Sequence, residues 1–265
     1  PGGRDMDQFS PMAGLVYRPS PLTRLYAHIA TAFQTPTTSE LGNRPMGEGG
    51  FNPDLEPERI LGFETGLRRH IPRWHLDLDL ALYQLAVTDA LIPFQIESPD
   101  SEEIYFRNAG QTQNRGLELA LTIAPCPDLR ALFAYTFGDY VFEDYQIETA
   151  AGLLQLAGNE VPGVPRHRFF ASLGYQHPQG LFADIEVERV GRYWANDFNG
   201  PAPANDTAPN AFRNDAYLRV DLRLGMEYRA ATTFLGIENL FAAQYSGSVV
   251  PNAFGGRFFE PAPGR

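Results

Sequence analysis

The chain has 265 residues, 21 basic against 32 acidic side chains for a formal net charge of −11, and 43% hydrophobic residues. That hydrophobic share is too high for a disordered tail, and the acidic balance argues against a nucleic-acid partner, because neutralising phosphates takes a clustered surplus of cations. A single cysteine, Cys126, excludes an intrachain disulfide or a multi-cysteine zinc site, and no apolar run approaches the ~18 residues of a membrane helix. Residues 1–10 lack the charged-then-apolar order of a signal peptide. All 21 basic residues are arginine, and 25 Gly and 22 Pro accompany 12 Tyr and 19 Phe, turn chemistry beside aromatics that favours β structure. A helical membrane protein is excluded; a membrane β-barrel is not.

Period-2 alternation predicts strands over 12–18, 22–33, 56–69, 74–88, 104–123, 129–142, 166–177, 181–194, 216–229 and 232–241. From Trp74 the chain reads Trp74, Leu76, Leu78, Leu80 and Leu82 on one parity and His75, Asp77, Asp79, Ala81 and Tyr83 on the other. Leu117, Leu119 and Leu121 alternate in the same way with Glu118 and its neighbours, as do Val220, Leu222 and Leu224 with Arg219, Asp221 and Arg223. Such runs exceed the ~5 or 6 residues of ordinary strands and match the ~9 to 11 that cross a bilayer at a tilt. Full charges on the second parity are costly in a dry core and ordinary in a wet lumen. One wet face of a soluble sheet explains the alternation too, so period alone leaves both readings open. The connections alternate between short and long, the long ones being 34–55, 89–103, 143–165, 195–216 and 242–255. Outer-membrane barrels alternate in this way, with short periplasmic turns and long extracellular loops. Aromatics near strand ends, among them Tyr105, Phe106, Phe133, Tyr135, Phe137, Tyr140, Phe142, Tyr193, Trp194, Phe258 and Phe259, are expected to form interface girdles, with Trp74 anchoring the opposite end.

Several segments at these strand ends carry motifs. Phe33-Gln34-Thr35-Pro36 through Leu41 enters the first long connection and Asn52-Pro53-Asp54-Leu55-Glu56-Pro57-Glu58 leaves it. Asn108-Ala109-Gly110 precedes Arg115-Gly116-Leu117-Glu118-Leu119; later come Gly158-Asn159-Glu160-Val161-Pro162-Gly163-Val164-Pro165-Arg166-His167, Asn239-Leu240-Phe241 with Tyr245, and the closing Gly256 to Arg265. Proline after Asn52 and Val161 sets the chain extended for re-entry, and Asn239 has an amide suited to holding the next loop. In their order and placement these segments resemble the C-terminal part of the β-barrel of TonB-dependent outer-membrane receptors, the iron-complex and siderophore branch.

That resemblance implies an all-β fold: part of an antiparallel transmembrane barrel, about ten or eleven strands of about 22, with the whole chain, 1–265, one portion of one barrel domain. It implies a Gram-negative outer-membrane receptor for a ferric siderophore or other iron chelate. Its partners would be the chelate, outer-membrane lipid and lipopolysaccharide, and the TonB–ExbB–ExbD complex acting through a plug and a TonB box. Plug and box are not among these residues, Ala242 stands where an acidic residue is common in the family, and the chain is expected to be a fragment unable to transport alone.

No catalytic motif, phosphate loop or cofactor signature is present, so neither an enzyme nor a bound cofactor is expected. His75 beside Asp77 and Asp79 reads as wet lumen lining rather than a metal site, and Asn205-Asp206-Thr207 as a chance sequon. Ferric chelates are anionic or oxygen-rich, so guanidinium and aromatic groups at the outer mouth are the expected binding chemistry; the candidates are Arg107, Arg115, Arg192, Tyr193, Trp194 and Arg213. The rival functions are uptake of cobalamin, haem, another metal chelate or a glycan, a passive porin, and an outer-membrane hydrolase, for which no Ser or Asp with His is evident at the rim.

Overall fold

A computed structural model describes residues 5–42, 44, 50–95, 104–108, 110–149, 152–201, 213–252 and 256–262. In chain order the elements are β1 (Met12–Ser20), β2 (Thr23–Gln34), α1 (Thr38–Leu41), β3 (Glu58–Ile71), a 3-10 turn (Pro72–Trp74), β4 (Leu76–Thr88), β5 (Leu91–Gln95), β6 (Ile104–Asn108), β7 (Gln111–Cys126), β8 (Leu129–Asp144), β9 (Gln146–Thr149), β10 (Gly152–Gln155), β11 (His167–Gln176), β12 (Leu181–Val190), β13 (Tyr193–Trp194), β14 (Arg213–Asn214), β15 (Tyr217–Tyr228), β16 (Ala231–Ile237), β17 (Ser246–Asn252) and β18 (Gly256–Pro261). Ten of these strands make one antiparallel sheet in the order β1-β2-β3-β4-β7-β8-β11-β12-β15-β16. The other eight pair as four small hairpins, β5 with β6, β9 with β10, β13 with β14, and β17 with β18. Because every wall strand pairs with the next wall strand in the chain, connections alternate between the two ends. One end therefore holds the five short turns and the other holds the long connections with their hairpins.

Register separates the faces. One row across the sheet runs Leu25, Leu67, Leu80, Leu119, Tyr135, Phe169, Arg189 and Leu218, and the adjacent row runs Arg24, Arg68, Asp79, Ala120, Ala134, Phe170, Glu188 and Arg219. On the second face charges pair between neighbouring strands, Arg68 with Asp79 at 2.8 Å, Arg168 with Glu188 at 2.7 Å, Arg219 with Glu188 at 3.3 Å and Arg223 with Asp184 at 2.9 Å, and Arg219 also pairs along its own strand with Asp221 at 3.1 Å. The first face leaves Leu61, Phe63 and Leu82 about half exposed. Among the described residues nothing covers either face, so the sheet is not half of a sandwich; the buried hydrophobic residues Leu55, Ala90, Tyr145, Leu156, Tyr193 and Ala195 sit in the long connections.

The expected strands correspond to this wall with four differences. The run 104–123 is two strands, broken at Gly110 with φ 121°, and only β7 joins the wall. The run 181–194 leaves the sheet at Val190, and 232–241 stops at Ile237 because Asn239 adopts φ 51°. Trp74 lies in the 3-10 turn and His75 follows it at φ 45°, so β4 begins at Leu76; the imidazole beside Asp77 belongs to His70, 2.8 Å away. Of the expected girdle, Phe133, Tyr135 and Phe137 lie on the apolar face, whereas Tyr140 lies on the polar one, its hydroxyl 2.7 Å from that of Tyr83. The side chains of Tyr105, Phe258 and Phe259 lie outside the described residues.

Three glycines on the polar face make room for aromatic rings from directly opposite residues: Tyr26 lies over Gly66, Tyr83 over Gly116 and Phe182 over Gly225. A ring laid over a glycine shields backbone that has no side chain of its own. A Cβ on Gly116 would meet the Tyr83 ring and approach the Phe137 carbonyl oxygen to 2.7 Å. Gly116→Ala is therefore expected to destabilise the protein by ~1–3 kcal/mol, with Tyr83→Ala in the same molecule recovering only part, since the carbonyl stays. Denaturant midpoints check this, and a wild-type midpoint for Gly116→Ala would remove the account.

Candidate functional site at the loop end

The long connections are folded rather than slack. Thr37 caps α1, accepting from the Glu40 N–H while the Glu40 carboxylate accepts from the Thr37 N–H at 2.6 Å, and the chain returns through buried Asn52 and Leu55 to β3. The β8–β11 connection folds back on its own strand: the Phe142 N–H donates to the Asn159 carbonyl and the Val161 N–H to that of Tyr140, both at 2.9 Å. Ala90, Phe142, Tyr145 and Leu156 close a small core there, packed by Val87 from the end of β4, by Ile147, Leu154 and Val161 from the β8–β11 connection and by Phe198 from the β12–β15 one. Burying such a cluster stabilises each participating side chain by roughly 1.5–3 kcal/mol, which is what holds these segments in place.

The sequence candidates divide between places. Tyr193, Trp194 and Arg213 come together in the β13–β14 pair, where Trp194 is the register partner of Arg213 and the guanidinium carbon stands 5.8 Å from the indole centre. Asn214, buried, donates from Nδ2 to the Tyr193 hydroxyl at 2.8 Å and to the Ser246 carbonyl at 3.2 Å, tying β13 and β17 to β14. Arg213 also stands 3.7 Å from Asp215. Beside this platform Tyr217 stacks on Tyr245 with ring centres 4.1 Å apart. Arg192 is exposed and adjacent in the chain. Arg107 is two connections away, donating to the Gln146 carbonyl of the intervening one at 2.9 Å. Arg115 is on the apolar face, in register with Gln84 and Asp139 and bonded to Gln113, and so is not brought to the others.

Between Arg107 and the platform lies a pair that the sequence did not single out. Buried Tyr145 donates from its hydroxyl to Asp197 at 3.1 Å. Burial pushes the Asp197 carboxyl above the usual carboxylate range, opposed by the Tyr145 hydrogen bond, and burial together with the Asp197 charge pushes the tyrosine up as well. Asn199 and Asn214 were also missed, and Asn108 stood out only as part of the Asn108-Ala109-Gly110 motif; asparagine in stretches such as Asn196 to Gly200 reads only as turn chemistry, and its partner in another connection is invisible without the fold. Asn239 does what its position suggested: its amide accepts from the Ala243 N–H at 2.8 Å and donates to the Ala243 carbonyl at 2.9 Å. No group of three or more His, Cys, Asp or Glu side chains able to hold a metal occurs among the described residues. The segment 45–49, the acids Asp100, Glu102 and Glu103, Asn205-Asp206-Thr207, Ala109 and residues 263–265 lie outside the described residues.

Long strands in a next-neighbour meander, one apolar and one ion-paired face, and elaborate connections gathered at one end define the wall of a receptor-type β-barrel. The family model described as TonB dependent receptor-like, beta-barrel, matches residues 1–240, and the chain belongs to that family of outer-membrane receptors and transporters. It is 26% identical over 245 residues to the probable TonB-dependent receptor BfrD of Bordetella pertussis, covering 89% of this chain and 30% of that protein. In fold it resembles the ferric yersiniabactin uptake receptor FyuA from Yersinia pestis, with TM-score 0.66, 19% identity and coverage of 96% of this chain and 35% of FyuA. It also resembles the copper transporter OprC, with TM-score 0.71, 17% identity and coverage of 96% and 38%. The chain thus spans about a third of the length of the proteins it matches.

Because the folded carboxyl pKa of Asp197 is raised above its unfolded value, its favourable contribution is full below the unfolded pKa, ~4, and is lost as pH rises through the folded one. Asp197→Asn is accordingly expected to protect the Tyr145–Leu156 amides better than wild type at neutral pH and to match it in acid. Hydrogen exchange corrected for its intrinsic pH dependence reads this; wild-type protection that rose from pH 4 to 8 would show the sign to be wrong.

Proposed function

We propose that these 265 residues form part of the barrel wall of an outer-membrane receptor that takes up a ferric siderophore or other iron chelate. The reading is carried by the Arg213–Trp194 pair, a cation on an aromatic face held at the long-loop end by buried Asn214. An anionic, oxygen-rich chelate meets there a guanidinium for its charge and rings for its flat groups, with no bond made or broken. Exposed Arg192 extends the same surface, buried Tyr193 supports it from below, Arg107 stands two connections along the rim, and Arg115 faces away. The apolar face then meets outer-membrane lipid, lipopolysaccharide included, and the ion-paired face lines a wet lumen. Release inward draws on the TonB–ExbB–ExbD complex through a plug and box outside this stretch of the receptor.

Two measurements test this. In the full-length receptor Leu80→Arg is expected to cost ~2–4 kcal/mol of stability in bilayers and Asp79→Asn, which removes only an exposed pair with Arg68, under ~1 kcal/mol; equal effects would overturn the assignment of faces. Calorimetry against a panel of ferric chelates is expected to find one that binds, with Trp194→Ala plus Arg213→Ala weakening it about 10- to 100-fold. Unchanged affinity would remove the pair from the site. A receptor that bound only a copper complex, cobalamin or haem would replace the cargo.

A further inference from the structure

The long connections are joined side to side without a break from residue 56 to residue 246. Asn108 accepts from the Glu56 N–H and donates to the Glu56 carbonyl, both at 2.7 Å, tying the β2–β3 connection to the β4–β7 one, and also donates to the Asp89 carbonyl at 2.7 Å. The next step passes through Arg107 to the Gln146 carbonyl. Asn199 then repeats the first device: it accepts from the Glu160 N–H at 2.6 Å and donates to the Glu160 carbonyl at 2.9 Å, joining the β8–β11 connection to the β12–β15 one. Tyr145 to Asp197 at 3.1 Å, Asn159 Nδ2 to the Asp197 carbonyl at 2.7 Å, and the Gly163 N–H to the Trp194 carbonyl at 2.8 Å reinforce that joint. Asn214 to the Ser246 carbonyl completes the series.

We propose that Asn108 and Asn199 are latches that make these connections one mechanically coupled rim, so that displacement at the Trp194–Arg213 platform is carried two connections away. A side-chain amide gripping both the N–H and the C=O of one residue imitates a strand neighbour, and it does so where no strand pairing crosses the gap. The same double grip on the backbone of a glutamate occurs at two separate joints. Each has its own second support, Leu91 N–H to the Glu58 carboxylate at the first and Phe198 packed on the Ala90–Tyr145 core at the second. The inference concerns mechanics and holds whatever the cargo is.

Hydrogen exchange of the full-length receptor in nanodiscs, without ligand, tests it. Asn199→Ala is expected to raise exchange about tenfold in both 145–161 and 191–200, and Asn108→Ala in both 52–58 and 88–91, while β4 and β7 keep wild-type protection. Combining Asn199→Ala with Asn214→Ala is expected to leave 88–91 as in Asn199→Ala alone, whereas Asn214→Ala alone raises it. An increase confined to the substituted connection, its neighbour unmoved, would overturn the latch. Should either alanine variant fail to fold, Asn→Asp, which keeps the acceptor and loses the donor, is read by the same criteria.

Discussion

In a bilayer the backbone has no water to bond with, and each unsatisfied N–H or C=O costs several kcal/mol, so everything else in this chain is arranged around keeping the ladder of ten strands continuous. Turns at one end are reduced to a few residues, β-bulges are few, and strands run as long as β7 and β8. Glycines that would leave the ladder bare are covered from the neighbouring strand by Tyr26, Tyr83 and Phe182. The alternation of leucine with charge follows from the same requirement, since a strand fixed by its ladder has only side-chain choice with which to meet lipid on one side and water on the other.

Charges on the wet face are mostly exposed pairs, and pairs of that kind contribute little stability. Their arrangement matters more for register: Arg219 stands between Glu188 and Asp221, and Arg223 reaches Asp184, so a slip of one residue would place like parities together and drive the charges toward lipid. The chain spends its arginines here and at the rim, and the guanidinium fork suits both, holding two carboxylates at Arg166 and an aromatic face at Arg213.

The wall was legible because lipid and water impose a strict period: Leu76 to Leu82 and Val220 to Leu224 fall on the apolar face that alternation assigned them. Places where reading failed are those where period stops being the governing signal. Gly110 breaks what looked like one strand, Asn239 ends another through a left-handed backbone, and Tyr140 and Phe142 are aromatic without being girdle residues. At the rim, residue type pointed to Tyr193, Trp194 and Arg213, which do meet, but also to Arg115, whose parity in β7 sends it to the other face. Asp197 and Asn199 carried no local signal, and the motif that holds Asn108 said nothing of its partner, because the partners lie in connections 39 to 52 residues away.

The contrast between wall and rim has a physical origin. Within the wall, hydrogen-bonding capacity is consumed by the ladder, and variation is confined to side chains on two faces. Beyond the last ladder bond the connections stand in water, where backbone groups bond to solvent at little cost, and a fixed structure has to be built from something else. This chain builds it from a small apolar core around Tyr145 and from asparagine amides, the side chains closest in shape to a peptide group. Such a rim is held less tightly than the sheet, since a few hydrogen bonds of ~1 kcal/mol each replace a ladder. That difference leaves the loop end freer to rearrange than the wall beneath it.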